Sequence, residues 1–327
     1  MNKLFTAVFF CFVLFLLTGC SSNSSRFSEL DTWSAQNGRY KVLSTTAMID
    51  DLVAQIGKER IDHIVLITGE IDPHSYELVK GDDEKLKLAG LIFYNGLGLE
   101  HGASLRYQLE HHRNAIGLGD KLLEKEPHLI LRSGREIDPH LWMDISLWCR
   151  MIEPIVDALS QLDPDGKEFY QSNGELLREK MMQTHLSIYA DLQKIPANKR
   201  LLVTSHDAFN YFTRAYLAAP DEMAQPQWQR RCEAPEGLAP DGQLSVSDIQ
   251  DIIDHLVEYR VQVVFPESNV SRDSLKKIID ACRQKGLIVK IAEQALYADA
   301  MGAKDSSAAT YLQLVRYDAD VLIEAWK

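Results

Sequence analysis

No proline occurs between Pro164 and Pro196, in the middle of a chain of 327 residues. Asp163 suits the N-cap of a helix and Pro164 its first position, although Gly166 and Gly174 weaken the first turns. About 30 residues at ~1.5 Å each make a rod roughly 45 Å long. The apolar residues of this stretch recur at helical spacing as one stripe: Leu177, Met181, Ile188, Leu192 and Ile195. The sequence therefore predicts a stiff helix over residues 163–196 that divides the chain in two.

Short β-rich runs alternate with helical patterns on both sides of this helix. Before it, the predicted elements are strands Tyr40–Ser44, His63–Thr68, Leu91–Tyr94 and Ala115–Leu118, and helices Thr46–Ile56 and His101–His111. After it, they are strands Leu201–Thr204, Val261–Phe265 and Leu287–Ile291, and helices Ser247–Tyr259, Ser271–Lys285 and Ser306–Trp326. Such alternation is typical of βαβ units. We predict an α/β fold of two (β/α) lobes with parallel sheets, at residues 40–162 and 197–327, joined by one long rigid α-helix.

The first residues have a different character. Lys3 is followed by an apolar run, Leu4–Leu17, whose ~14 residues fall short of the ~20 that span a bilayer. Residues 1–19 are therefore predicted to be a signal peptide. Leu17–Cys20 resembles the lipobox of bacterial lipoproteins, which implies that Cys20 is lipidated, and the polar run Ser21–Ser25 predicts a flexible tether over residues 20–39. We expect an exported protein, lipid-anchored to a bacterial membrane and facing the periplasm or the cell exterior.

Charge and cysteine content limit the partners. The formal net charge of −12 argues against nucleic acid, which requires a basic face, and we expect a monomer. Apart from Cys11 and Cys20, the cysteines are Cys149, Cys232 and Cys282. Cys149 lies in an apolar helical pattern that indicates a buried thiol. Since an exported compartment permits disulfides, we predict a bridge between Cys232 and Cys282.

Three of the ten histidines follow β-rich runs. His74 and His140 each end an Asp-Pro-His triplet, and His206 follows the strand that begins at Leu201. In open α/β sheets the ligand crevice lies outside the carboxyl ends of the strands, so this placement directs three imidazoles to one surface. The proline before His74 and His140 restricts the local backbone. The pattern predicts that these histidines act together.

A fourth ligand is expected to be a carboxylate from the C-terminal lobe. Asp299 follows the strand Leu287–Ile291, but on spacing alone Glu293, Asp305 and Glu267 remain open alternatives. Three imidazoles and one carboxylate suit zinc, iron(II) or manganese, whereas calcium and magnesium prefer oxygen ligands. The sequence therefore predicts one bound Zn²⁺, Mn²⁺ or Fe²⁺ ion.

The chain resembles the TroA-like metal-binding receptors of ABC transporters, and among them the YtgA type. Five motifs occur in the family's order: Asp72–Glu77, Asn95–Glu100, Asp138–Asp144, Thr204–Phe212 and Leu296–Asp299. The resemblance implies two lobes bridged by one helix, with the metal held in the cleft between them. The ligands it implies are His74 and His140 from the first lobe and His206 and Asp299 from the second. It further implies an extracytoplasmic lipoprotein that delivers the ion to a permease and its ATPase.

The resemblance does not assign one metal. Manganese-specialised members carry Glu at the third ligand position, where this chain has His206. Zinc-dedicated members often carry a long loop rich in His and acidic residues after the first ligand, whereas here only Ser75–Gly81 precedes the next helix.

Two other functions compete with transport. A zinc hydrolase is disfavoured because the chain has no His-Glu-x-x-His, Gly-x-Ser-x-Gly or Walker-type motif. Four protein ligands would also leave no position open for a catalytic water, so we predict that the chain is not an enzyme. An adhesin or structural lipoprotein that uses a metal to lock its lobes remains the alternative.

Overall fold

The computed structural model describes residues 30–223, 226–240 and 246–327. The predicted signal peptide, the lipidation site Cys20 and the serine-rich run lie outside these residues. Within the described residues, no helix is both long and apolar enough to cross a membrane.

The N-terminal lobe is built on one parallel sheet. Its strands are β1 (Tyr40–Ser44), β2 (Ile61–Val65), β3 (Leu91–Tyr94) and β4 (Ala115–Gly117), in the order β2-β1-β3-β4. The helices between and after them are α1 (Ala47–Gly57), α2 (Asp82–Leu88), α3 (Ala103–His111) and α4 (Leu118–Lys125). Because successive side chains of a strand point to opposite faces, Val42 and Leu43 enter different hydrophobic clusters. The sheet is therefore covered on both faces, as expected of a parallel sheet.

The folded part of this lobe begins earlier than predicted. Residues 30–34 are helical, and Leu30 and Trp33 are buried in the cluster that covers one face of the sheet. The Trp33 indole Nε1 donates a hydrogen bond of 3.0 Å to the carbonyl of Asp62 on β2. The prediction of a tether that extends to residue 39 was thus too long, because these two apolar side chains, three residues apart, anchor the segment to the lobe.

A short hairpin and a helical region follow the first sheet. The strands β5 (Arg132–Ser133) and β6 (Glu136–Ile137) form an antiparallel pair just before the second Asp-Pro-His triplet. The next helices are α5 (Ile145–Trp148), α6 (Ile152–Leu162) and α7 (Lys167–Leu192), and α7 is the long helix between the lobes. Its 26 residues make a rod of about 39 Å. The five apolar residues of the predicted stripe are all buried in the main core.

The start of α7 differs in detail from the prediction. Asp163 does not cap the helix; its carboxylate accepts hydrogen bonds from Arg60 at 2.7 Å and from the hydroxyl of Tyr170 at 2.7 Å. A 3₁₀ turn, Pro164–Gly166, comes first. A Cβ at Gly174 would lie 2.9 Å from a methyl of Val156 on α6. The glycine therefore permits the close approach of the two helices at the expense of helix propensity.

The C-terminal lobe has much shorter strands. The strands β7 (Leu202–Val203) and β8 (Cys232–Glu233) form one parallel pair, and β9 (Val263–Val264) and β10 (Lys290–Ile291) form another. Its helices are α8 (Asn210–Phe212), which continues as a π-helical turn Thr213–Leu217, α9 (Val246–Tyr259), α10 (Asp273–Gln284) and α11 (Tyr311–Trp326). Isolated parallel bridges join His206 to Glu236 and Glu267 to Leu296.

The main hydrophobic core is continuous through both lobes and α7, and each lobe has a smaller cluster of its own. Cys149, Cys232 and Cys282 are all buried and free, so the predicted bridge between Cys232 and Cys282 is wrong. Cys232 belongs to the main core, whereas Cys282 on α10 lies in the separate cluster of the C-terminal lobe. The spacing of cysteines along the chain could not reveal that two different clusters enclose these thiols.

Candidate metal centre

His74 lies in the loop that follows β2. Its backbone N–H donates to Asp72 Oδ1 at 2.8 Å, and the other oxygen of Asp72 accepts from the Ser75 hydroxyl at 2.6 Å. The carbonyl of His74 accepts hydrogen bonds from the backbone N–H groups of His101 and Gly102, at 3.2 and 3.1 Å. The backbone that presents this imidazole is therefore fixed on both sides.

His140 is held in the same way and by its ring as well. Asp138 Oδ1 accepts from the backbone N–H of His140 at 3.0 Å and lies 2.8 Å from the ring Nδ1. The second oxygen of Asp138 accepts from the Asn210 amide at 3.1 Å, and Asn95 donates to the carbonyl of Pro139 at 3.0 Å. Since Nδ1 faces a carboxylate, it carries the proton and Nε2 is left with its lone pair.

His206 lies three residues after the end of β7, and a residue that is distant in sequence holds it in place. Glu267 Oε1 accepts from the backbone N–H groups of Ser205 and His206, at 2.8 and 2.9 Å. The other oxygen of Glu267 contacts His206 Nδ1. Glu267, an open alternative for the fourth ligand, thus orients His206 and leaves Nε2 directed at the site.

Asp299 lies in the loop after β10. The backbone N–H of Tyr297 donates to Asp318 Oδ1 on α11 at 2.9 Å, which fixes this loop to the last helix. Asn269 lies 3.5 Å from Asp299 Oδ2. The other two alternatives, Glu293 and Asp305, are exposed and do not belong to this group.

The four side chains His74, His140, His206 and Asp299 meet at one buried point. Each offers one donor atom, and these atoms all lie within 4.8 Å of one another. The two Nε2 atoms of His74 and His140 are 3.3 Å apart, and His206 Nε2 is 3.2 Å from Asp299 Oδ2. His140 Nε2 is 3.5 Å from Asp299 Oδ1. A tetrahedral zinc ion with ~2.0–2.1 Å bonds would separate its ligands by about 3.3 Å, so these three separations are close to those around a bound ion.

Burial and mutual contact shift the pKa values within the group. Burial lowers the pKa of His74 to about 3, so this imidazole is neutral at ordinary pH. Burial would raise the pKa of Asp299, but the neighbouring imidazoles, His206 foremost, bring it below its usual range. His206 Nε2 and Asp299 Oδ1 are buried, and neither makes a hydrogen bond to another described residue. Because buried polar atoms without partners are costly, an ion that both could bind would remove an unfavourable term.

Comparison with known proteins places the chain in a family. The family model for the periplasmic component A of the zinc-uptake complex, ZnuA, matches residues 42–325. This range contains α7, all four side chains of the group and most of both lobes. The chain belongs to the ZnuA family. The family consists of substrate-binding components of metal-uptake systems.

Several individual members are similar over nearly the whole chain. The metal-binding protein YtgA of Chlamydia pneumoniae is 40% identical over 291 residues, which cover 89% of this chain and 86% of that protein. The manganese-binding lipoprotein MntA of Bacillus subtilis is 28% identical and covers 97% of each chain. The crystal structure of Fe(III)-bound YtgA from Chlamydia trachomatis superposes with a TM-score of 0.82 at 36% identity, covering 88% of this chain and 98% of that one. The predicted resemblance and fold class are confirmed.

For this member of the ZnuA family, sequence reasoning missed the residues that orient the donors. Asp138 was visible as the first residue of a repeated triplet, so its role could have been proposed from sequence. Glu267 looked like a possible ligand, and nothing in the sequence connected Asp318 or Asn210 with the site. These contacts depend on tertiary structure, and they bring together residues that are 21 to 72 positions apart.

Proposed function

We propose that this chain is an extracytoplasmic receptor that captures one transition metal ion with His74, His140, His206 and Asp299 and delivers it to an ABC permease for import. The observation that carries the proposal is the convergence of four buried donor atoms, two from each lobe, within 4.8 Å of one another. Ligands from both lobes close around the ion, and contact with the permease would separate them again. Lipidation at Cys20 would keep the receptor next to the permease.

The donor set narrows the identity of the ion. Three imidazoles and one carboxylate suit Zn²⁺, and they also suit Mn²⁺ or Fe²⁺ if the carboxylate binds through both oxygens. The relatives are named for zinc and manganese, and one is solved with Fe(III). Because zinc binds such sites more tightly than manganese or iron(II), supply at the cell surface would decide which ion is carried.

The central experiment is elemental analysis of the full chain purified without chelator or affinity metal, followed by titration with Zn²⁺, Mn²⁺ and Fe²⁺. We expect one ion per chain and the tightest binding for Zn²⁺. Failure to bind any of these ions would contradict the proposal.

Measuring metal accumulation in a strain that lacks the gene distinguishes a transport receptor from an adhesin. Reduced accumulation, restored by the wild-type gene but not by a His206→Ala copy, is the expected outcome. Normal accumulation with altered adhesion would favour the structural lipoprotein.

A further inference from the structure

A single hydrogen bond joins the neighbours of two proposed ligands that belong to different lobes. Trp142, two residues after His140, lies in a 3₁₀ turn, Leu141–Met143, and its side chain is buried. Its indole Nε1 donates to the carbonyl of Ala298 at 2.8 Å, across 156 positions of sequence. Ala298 immediately precedes Asp299. The bond therefore connects the turn that carries His140 with the loop that carries Asp299.

A second hydrogen bond between the lobes reaches the same residue, Trp142. The hydroxyl of Tyr311, at the start of α11, donates to the carbonyl of Trp142 at 2.6 Å. The Trp142 ring meets the His140 ring edge to face, with centroids 5.2 Å apart. Since the ring contacts His140 and its N–H holds the neighbour of Asp299, a displacement of the Ala298 loop would pull on a group packed against a metal-binding imidazole.

Other hydrogen bonds between the lobes connect different segments. Asn210 and the hydroxyl of Tyr211 bind Asp138, so they connect the His140 turn with the segment that follows His206. They do not reach the loop that carries Asp299. That loop is held by Asp318 within its own lobe and by Trp142 from the opposite lobe.

We infer that Trp142 is a positioning residue that ties Asp299 to His140 in the closed form and thereby slows the release of the bound ion. The inference rests on the proposed function. When the lobes separate, the indole N–H and the Ala298 carbonyl part, so their bond stabilises the closed form alone. The ion binds all four donors only in that form. A bond that exists only in the closed form therefore slows the opening that releases the ion.

The test compares Trp142→Phe with Trp148→Phe in the full-length protein. Both indoles are fully buried, but Trp148 Nε1 has no hydrogen-bond partner among the described residues. Each substitution removes the same atoms, and only Trp142→Phe removes a hydrogen bond. The measurement is the rate of Zn²⁺ loss to excess chelator, together with the thermal unfolding of each metal-free variant.

We expect Zn²⁺ to leave Trp142→Phe about ten-fold faster than it leaves Trp148→Phe, since one buried carbonyl loses its partner in the closed form. When Co²⁺ is bound in place of Zn²⁺, its absorption bands should keep their positions in both variants, because neither substitution removes a metal ligand. If Trp142→Phe lowers the melting temperature but releases Zn²⁺ at the rate of Trp148→Phe, Trp142 only fills space and the inference is overturned.

A second variant keeps the inference testable if Trp142→Phe does not fold. Tyr311→Phe leaves the indole intact and removes the hydroxyl that fixes the Trp142 carbonyl, so we expect faster Zn²⁺ release, by a smaller factor. Release at the wild-type rate from Tyr311→Phe would count against the inference. Wild-type protein that binds no Zn²⁺ would instead overturn the proposed function itself.

Discussion

The two lobes hold their proposed metal ligands in place through contacts of different sequence separation. In the N-terminal lobe, Asp72 and Asp138 hold histidines that are two positions away, within Asp-Pro-His triplets. In the C-terminal lobe, Glu267 holds His206 from 61 positions away, across two strands of different pairs. A carboxylate performs the same task in each case. The difference is that the N-terminal turns can form locally, whereas the C-terminal arrangement exists only once the lobe has folded.

The sheets of the two lobes also differ in the length of their strands. The N-terminal lobe has four parallel strands of three to five residues, and the strands of the C-terminal lobe are two residues long. A two-residue ladder supplies few backbone hydrogen bonds, so side chains must hold the C-terminal loops in place. We therefore expect the C-terminal ligands to be the more sensitive to changes in the residues around them.

The largest expected effect comes from removing a ligand, which tests whether both lobes hold the ion. Either His140→Ala or His206→Ala should weaken Zn²⁺ binding by more than the ~100-fold known for residues that only orient a ligand, because a direct bond to the metal is lost. Competition with a chromophoric chelator measures the affinity. The exposed His128 supplies the control, since His128→Ala should bind Zn²⁺ like the wild type. Wild-type affinity in either ligand variant would mean that one lobe holds the ion alone.

The second-largest expected effect comes from changing Glu267, which holds His206 in place from a distant part of the sequence. Glu267→Gln keeps the size of the side chain but removes the charge that fixes the proton of His206 on Nδ1. We expect a ~10–100-fold loss of Zn²⁺ affinity, as for other residues that orient a metal-binding imidazole. The same change at the exposed Glu293 should have no effect. An unaltered affinity in Glu267→Gln would show that strand pairing alone orients His206.

The duplicated triplet allows a matched test inside the N-terminal lobe. Asp138 binds both the backbone and the ring of His140, whereas the contacts of Asp72 to His74 involve the backbone alone. Asp138→Ala should therefore weaken Zn²⁺ binding by ~10-fold or more. Asp72→Ala should cost less, since Pro73 still restricts the backbone. Titration calorimetry of the two variants measures the order, and equal losses would contradict the distinction between ring and backbone anchoring.

The same distinction between local and distant contacts explains what the sequence could predict. The strands β1 and β3 and the apolar stripe of α7 were correctly assigned, because each depends on periodicity within one element. The triplets around His74 and His140 were visible for the same reason. Residues that depend on tertiary partners were misjudged. Trp33 was assigned to a tether, and Cys232 was paired with a thiol in another cluster.

One buried ion pair shows how side chains reinforce the short C-terminal strands. Arg231 precedes β8, and its guanidinium donates to the carbonyls of Ala197 and Arg200 next to β7. The same guanidinium binds the Glu222 carboxylate through two nitrogens, at 2.5 and 3.1 Å. The hydrogen bonds from Arg231 lower the pKa of Glu222 from 4.5 to about 2. This carboxylate thus fixes an arginine that connects the ends of two paired strands.

The smallest expected effect is a loss of stability of the C-terminal lobe in acid. The pKa of Glu222 is lower in the folded chain than in the unfolded one, so its stabilisation is complete above about pH 4.5 and disappears as the pH falls towards 2. At pH 7, Glu222→Gln should lower the melting temperature by a few degrees. The difference from the wild type should shrink as the pH falls through this range, because the wild type then loses the same interaction.

Hydrogen exchange locates the effect in the structure. At pH 7, the amides of Leu202 and Val203 should exchange faster in Glu222→Gln than in the wild type, whereas those of Val42 and Leu43 should be unchanged. A difference in melting temperature that stays constant from pH 7 to pH 3 would mean that the charge of Glu222 does not hold these strands together.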